Sequence, residues 1–359
     1  MAIISGQITD GNDNIILDDA GDTLDALTGN DTILGGDGTD SLIGSSGNDS
    51  LDGGGGLSNT LDGGSEDDTL IGSGDTNLLQ GGVGNDSLVG GEGSDILFGS
   101  SGNDTLIAGG GADGLVVGDV GDDYFFDEDI ESGENNLGGD GNDTIDYSNA
   151  PLGLISEIDL EDGIATDSAG VAETILDFEN VEGSQGGDTI NGSNDPNRLN
   201  GNGGIDEIAG EGGKDTLTGG AGIDILSGGS GDDLLIGGAD ADILTGGTED
   251  DSFRFNNANQ GIDNIIDFGN GNDSISVSRS GFGGGIRGRG LLNLGPLDPI
   301  QFNSGIGATA DNSSHRFIYD EGDGTLYFDI DGLGGAQQVP FATFATTPTL
   351  TANDIMVVF

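Results

Sequence analysis

A unit of nine residues, Gly-Gly-x-Gly-x-Asp-x-U-x with U a large apolar residue, recurs through most of this 359-residue chain and leaves it few folds to choose from. Clean copies read GGVGNDSLV at 81–89, GGEGSDILF at 90–98, GGAGIDILS at 219–227 and GGSGDDLLI at 228–236, in register and without a spacer. Glycines in the first six positions permit positive φ and close backbone approach, which makes that part a turn. The last three residues make a short strand whose U side chain points inward. Two such units close one coil of eighteen residues. The period therefore predicts an all-β chain, a parallel β-roll or β-solenoid that stacks its turns along two edges.

Counting by nines separates two arrays. In the first, 1–125, the acidic position falls on Asp13, Asp22, Asp31, Asp40 and Asp49; a ten-residue unit at 53–62 then shifts the register by one and carries Asn59. From Gly63 the period continues through Asp68, Asn77, Asp86, Asp95, Asp104, Asp113 and Asp122. The second array, 183–254, is uninterrupted and carries Asp188, Asn197, Asp206, Asp215, Asp224, Asp233, Asp242 and Asp251. Between them, 126–182 holds one isolated copy with Asp143, and its strand-like stretches LISEIDL and ETILDFENV read as enlarged coils of the same solenoid. Residues 255–359 follow as a C-terminal β cap, with a hairpin expected where HRFIYD and GTLYFDIDG flank the Asp323-Gly324 turn.

Stacking turns eighteen residues apart lines up carboxylates. One edge should hold Asp68, Asp86, Asp104 and Asp122, the other Asp95 and Asp113. Carboxylates among backbone carbonyls are the donor set of a hard cation, and Ca²⁺ takes six to eight oxygens, more than one turn offers. Multiple Ca²⁺ ions between successive turns are thus expected, with the nineteen Asp residues named above as candidate ligands. Nothing else in the composition offsets their repulsion, since 66 acidic residues stand against 7 basic ones. One or two apolar side chains per nine glycine-rich residues bury too little to offset the backbone entropy. The ion-free chain is expected to be disordered, and folding and metal binding to be one event. Asn59 and Asn77, eighteen residues apart, should leave a gap in one edge because neutral amides bring less charge to the ion.

The same composition excludes whole classes. A formal charge of −59 repels nucleic acid and anionic membranes, no apolar stretch is long enough to span a bilayer, and Met1–Asp10 lacks the basic and apolar regions of a cleaved leader. With no cysteine there are no disulfides or thiolate sites, and with His315 as the single histidine there is no multi-histidine centre. Gly228-Gly229-Ser230-Gly231-Asp232 fails the Gly-x-Ser-x-Gly elbow at its last position. Asp329-Ile330-Asp331-Gly332 opens like an EF-hand loop, but Leu333 and Pro340 then stand where ligands belong. Repeats that begin almost at once are expected to leave no room for a separate catalytic domain. Arg279, Arg287 and Arg289 gather in one glycine-rich segment that reads as a loop.

These units resemble those of the RTX (repeats-in-toxin), haemolysin-type calcium-binding proteins. The C-terminal hundred residues are similar to that family's terminal cap: Asp263-Asn264-Ile265-Ile266-Asp267-Phe268 and Gly271-Asn272-Asp273-Ser274-Ile275 resemble the strand pair after the roll. The ending Asn353-Asp354-Ile355-Met356-Val357-Val358-Phe359, an acid followed by apolar residues, is similar to an uncleaved type I secretion signal. The resemblance implies a bacterial protein exported by a type I secretion apparatus, extracellular or at the cell surface, that folds on meeting Ca²⁺. A structural, surface-associated or binding role is expected, without a catalytic residue, with a cell-surface glycan or further copies of the chain as partners. A secreted polysaccharide-modifying enzyme or accessory module, with its site in 126–182 or 255–310, is the alternative.

Overall fold

The computed structural model describes residues 3–5, 8–18, 21–111, 114–128, 130, 134–153, 155–283, 292–332 and 337–359. Asp113, Arg287 and Arg289 lie outside them. The chain divides into two compact units, Met1–Ser184 and Gln185–Phe359.

In the first unit some strands are only the x-U-x triplet, in which one side chain reaches the interior, and others run on into the following glycines, as Asn59–Ser65 does. Thr69–Ile71, for example, buries only its central Leu70. Strands from alternate units stack in parallel and form two sheets. One sheet carries the column Leu51, Leu70, Leu88, Leu106, Phe125, Ile145 and Val181, each residue in register with the next. The facing sheet carries Leu42, Leu61, Leu79, Leu97, Val116, Asn136 and Ile175. Apart from Asn136 these residues are at most 1% exposed, so the two columns make the core. Backbone hydrogen bonds run from coil to coil, as from Thr69 N–H to Asp49 O and from Ser87 N–H to Asp68 O.

Glycine is required where one turn lies against the next. Gly84 has φ of 144°, and a Cβ there would come within 2.1 Å of the Glu66 carbonyl in the preceding turn. No other residue type fits that approach.

The stretch between the arrays remains within this architecture. Thr144–Asp146 and Asn180–Glu182 occupy consecutive rungs of one sheet. The chain between them makes an antiparallel excursion, Ile155–Asp159 against Ile164–Asp167, and returns through Ala172–Leu176, which lies parallel to Asn135–Asp140.

In the second unit the columns are Ile190, Ile208, Leu226, Leu244, Ile265 and Phe344 on one sheet. Leu199, Leu217, Leu235, Phe253, Ile275 and Ile355 form the other. Toward the C-terminal end the coils widen and phenylalanine replaces leucine to fill them. Phe282 packs against Phe317, Phe328 and Phe341, while Phe268 packs against Phe253 and Phe344. The hairpin is present, Phe317–Asp320 antiparallel to Thr325–Phe328. The two stretches after the repeats, Asp263–Ile265 and Ser274–Ser278, add rungs parallel to the array, and the C-terminal Ile355–Val358 lies parallel to Ser274–Ser278.

Candidate metal centres in the repeat turns

The acidic side chain of each turn points back into the stack. Its Oδ1 accepts the backbone N–H of the ladder residue one coil earlier, at 2.6 to 2.8 Å along the run Asp13, Asp31, Asp49, Asp68, Asp86, Asp104, Asp123 and Asp143. Asp143 N–H in turn donates to Glu179 Oε2 at 2.8 Å. The other edge runs Asp22, Asp40, Asn59, Asn77, Asp95 in the same way. The second unit repeats both edges, as Asp188, Asp206, Asp224, Asp242, Asp263 and as Asn197, Asp215, Asp233, Asp251, Asp273.

One oxygen of each of these carboxylates is thereby used, and in most of them the other is left over. Oδ2 of Asp31, Asp40, Asp49, Asp68, Asp86, Asp104, Asp123 and Asp143 is buried without a hydrogen-bond partner, and so is that of Asp206, Asp215, Asp224, Asp233, Asp242 and Asp263. A backbone carbonyl of the next coil crowds the same place. The point where a Cβ on Gly63 would lie is 2.4 Å from Asp68 Oδ2 and 2.8 Å from Gly81 O; at Gly228 the distances are 2.3 Å to Asp233 Oδ2 and 2.5 Å to Gly246 O. Oxygens with no proton between them repel, and burying them unpaired is costly. A hard cation removes both penalties. The donor set is oxygen only, which suits Ca²⁺ and suits metals preferring nitrogen or sulfur poorly.

The electrostatics agree. Burial, reinforced by the neighbouring ladder carboxylates, pushes Asp68, Asp104, Asp143, Asp206 and Asp251 up to about 7, although the donated backbone N–H pulls the other way. Asp263, the most enclosed, is pushed up to about 8. These groups hold a positive charge, proton or metal, far more readily than a free carboxylate.

Most of the residues expected from the sequence stand in these ladders. Asp13 begins one, its own carboxylate taken by the Thr9 N–H and hydroxyl. Asp122 is the correction. It is exposed and accepts the Asn142 N–H, while the adjacent Asp123 is buried in the ladder, nineteen residues beyond Asp104. The coil between them holds one residue more than two nonapeptides, so counting by nines stops one short. Period counting also misses Glu179, Asp263 and Asp273. A different signal finds all four: the ladder acid stands two residues before a buried apolar residue, as Asp123 before Phe125, Glu179 before Val181, Asp263 before Ile265 and Asp273 before Ile275. His315 lies apart from the ladders, its ring held between Asp311 and Asn312.

Asn59 and Asn77 behave differently. Asn59 Nδ2 donates to Gly72 O at 3.0 Å and Ser73 O at 3.1 Å, and Asn77 Nδ2 donates to Gly90 O at 3.3 Å and Asp95 Oδ1 at 2.9 Å. Gly72 O and Gly90 O hold the place that Gly81 O holds beside Asp68 Oδ2. Amide protons thus occupy the position where a cation is expected beside the aspartates. A crystal structure of the calcium-loaded chain is expected to show no ion between the Asn59 and Asn77 turns, and the variant N59D/N77D to bind about one ion more per chain. Full-occupancy density bridging the two turns in the native chain would overturn this.

Among the described residues no helix is long and apolar enough to cross a membrane. The sequence profile of the RTX calcium-binding nonapeptide repeat (4 copies) matches at 9–42, 17–51, 34–56, 53–88, 80–115, 89–125, 182–217 and 218–253. No curated protein sequence matches the chain. Among solved structures, the extracellular lipase LipA from Serratia marcescens is similar at 14% identity with a TM-score of 0.22, over 84% of this chain and 40% of that one. The chain thus spans less than half the length of that lipase.

Proposed function

Because the chain belongs to the RTX calcium-binding nonapeptide repeat family, whose units match it across 9–125 and 182–253, we propose that it works outside the bacterial cell as a calcium-folded β-roll with a structural, surface-associated or binding role. The observation that carries this reading is the row of buried Oδ2 atoms without a hydrogen-bond partner along the turns. A fold that depends on filling them cannot form where free calcium is scarce and forms once the chain reaches an environment rich in it. Such a chain stays threadable until it is outside.

A glycan-active or glycan-binding role is the second reading. It is favoured by an open cavity of about 570 Å³ in the second unit, lined by Asp320, Tyr327, Asp329, Gln337 and Gln338 with residues 307–310. An aromatic ring among carboxylates and amides is the chemistry that receives sugars. Incubating the calcium-loaded protein with a polysaccharide panel separates the two: bound but intact glycan supports a binding role, shortened glycan an enzyme.

Export is tested by deleting Asp354–Phe359. In the folded chain Ile355–Val358 of this segment is a strand with Ile355 and Val357 buried, but a chain still unfolded in the cytoplasm does not need that strand there. Cells carrying the type I apparatus are expected to retain nearly all of the truncated chain while releasing the full-length one. Normal release of the truncated chain would place the signal elsewhere.

A further inference from the structure

One rung of the first unit departs from the rule that inward positions are apolar. Asn136 stands in the column between Val116 and Ile175. Glu134 and Glu173 each lie two residues before a member of that column, hence on the same inward face. Asn135 pairs with Thr174 in parallel register, so the two glutamates, one residue earlier on each strand, are stacked on adjacent rungs. From the other sheet Asp127 follows Phe126 inward, its N–H bonded to Asp146 O.

The three carboxylates are at most 8% exposed, and each offers an oxygen within 4.8 Å of the others. Asn136 Nδ2 donates to Asp127 Oδ2 at 3.2 Å, and the Tyr147 hydroxyl, itself fully buried, donates to Glu173 Oε1. Glu173 Oε2 is buried and accepts no hydrogen bond. A cavity of about 10 Å³ lies against the cluster, lined by Asp127, Glu134, Asn136 and the apolar Val116, Phe125 and Ile145. That is room for about one water-sized sphere.

Charge decides what such a place can hold. Neutral donors such as Asn136 and Tyr147 leave the negative charge of three carboxylates in place, and like charges on adjacent rungs repel. No basic side chain within the unit can balance them either, because all seven Lys and Arg residues, and His315, fall after residue 197. We propose that Asp127, Glu134 and Glu173 form an internal calcium site inside the first unit, separate from the turn ladders. Ligand oxygens on opposite sides of a Ca²⁺ ion stand about 5 Å apart, which matches the spread of these three. Magnesium retains several waters in its shell, and the cavity has no space for them. The ion pins Ala172–Leu176, the strand that returns from the long excursion, onto Asn135–Asp140 and so closes the enlarged coil.

The test is an anomalous-difference map of the full calcium-loaded chain at long X-ray wavelength. A peak is expected within about 2.6 Å of one oxygen from each of the three residues, distinct from those along the turns. Filled turns with nothing at the cluster would overturn the proposal, and a peak that appears with Mn²⁺ but not Ca²⁺ would overturn the choice of metal. In solution, E134Q/E173Q is expected to retain one calcium fewer per chain after desalting and to melt earlier at saturating calcium, whereas Tyr147→Phe keeps the ion. Were protons holding the cluster instead, the double variant would keep its calcium content and melt at the same temperature or higher. Should it fail to fold, the map of the native chain decides alone.

Discussion

Excess chelator is expected to abolish most of the β signal in far-UV circular dichroism, and added Ca²⁺ to restore it cooperatively in the millimolar range typical of extracellular modules. The cause lies in the turns. Without a cation, each coil brings further buried oxygens up against carbonyls of the next, while its glycines give up more backbone freedom on ordering than any other residue. An ion that binds only the folded chain contributes about 2.7 kcal/mol per site at a hundredfold excess over Kd. Summed over stacked sites, that term is the largest lever on the fold. Neighbouring coils share each ion, so the transition should be steep. Mg²⁺ is expected to restore little of the signal, because it keeps its waters. An unchanged β spectrum in excess chelator would sink the idea.

Acid is expected to stand in for calcium. Unfolded, these aspartates titrate near 3.9; in the ion-free fold, burial first and neighbouring carboxylates second push Asp49 and Asp242 up to about 6, Asp68, Asp104, Asp143, Asp206 and Asp251 to about 7, and Asp263 to about 8. The fold then binds protons more tightly than the unfolded chain does. Their stabilising contribution is fully present below about pH 4 and is lost as the pH rises through 6 to 8. The metal-free chain, disordered at pH 7.5, should therefore regain β structure as the pH is lowered toward 4, where the repulsion set by a net charge of −59 also fades. With calcium present the order reverses: protons compete for the same oxygens, and the calcium midpoint should rise several-fold between pH 7.5 and 5.5. Circular dichroism of a calcium-depleted sample across that range measures the first effect and calcium titrations measure the second. A metal-free chain equally disordered at pH 4 and pH 7.5 would contradict the placement of these carboxylates.

The nine-residue period was enough to determine the fold class, the inward columns such as Leu61, Leu79 and Leu97, most of the ladder positions in the two arrays and an oxygen-only donor set. It could do so because each property belongs to one local unit repeated, and a turn of glycines with an acid two residues before an apolar side chain has one way to stack. Where it fell short, the cause was arithmetic rather than chemistry. Stacking is governed by the coil, through hydrogen bonds that pair each strand with the one before it, and a coil absorbs an extra residue in its turn without disturbing that pairing. Hence Asp123 and not Asp122 follows Asp104 in the ladder, and Asp263 and Asp273 follow at intervals of 21 and 22 residues. Glu179 is carried to its rung by an excursion that no period describes. The meeting of Asp127, Glu134 and Glu173 was likewise left to the tertiary structure. Their separation in sequence carries no information about contact until the strands on either side of the excursion are in register, and parallel pairing is what sets that register.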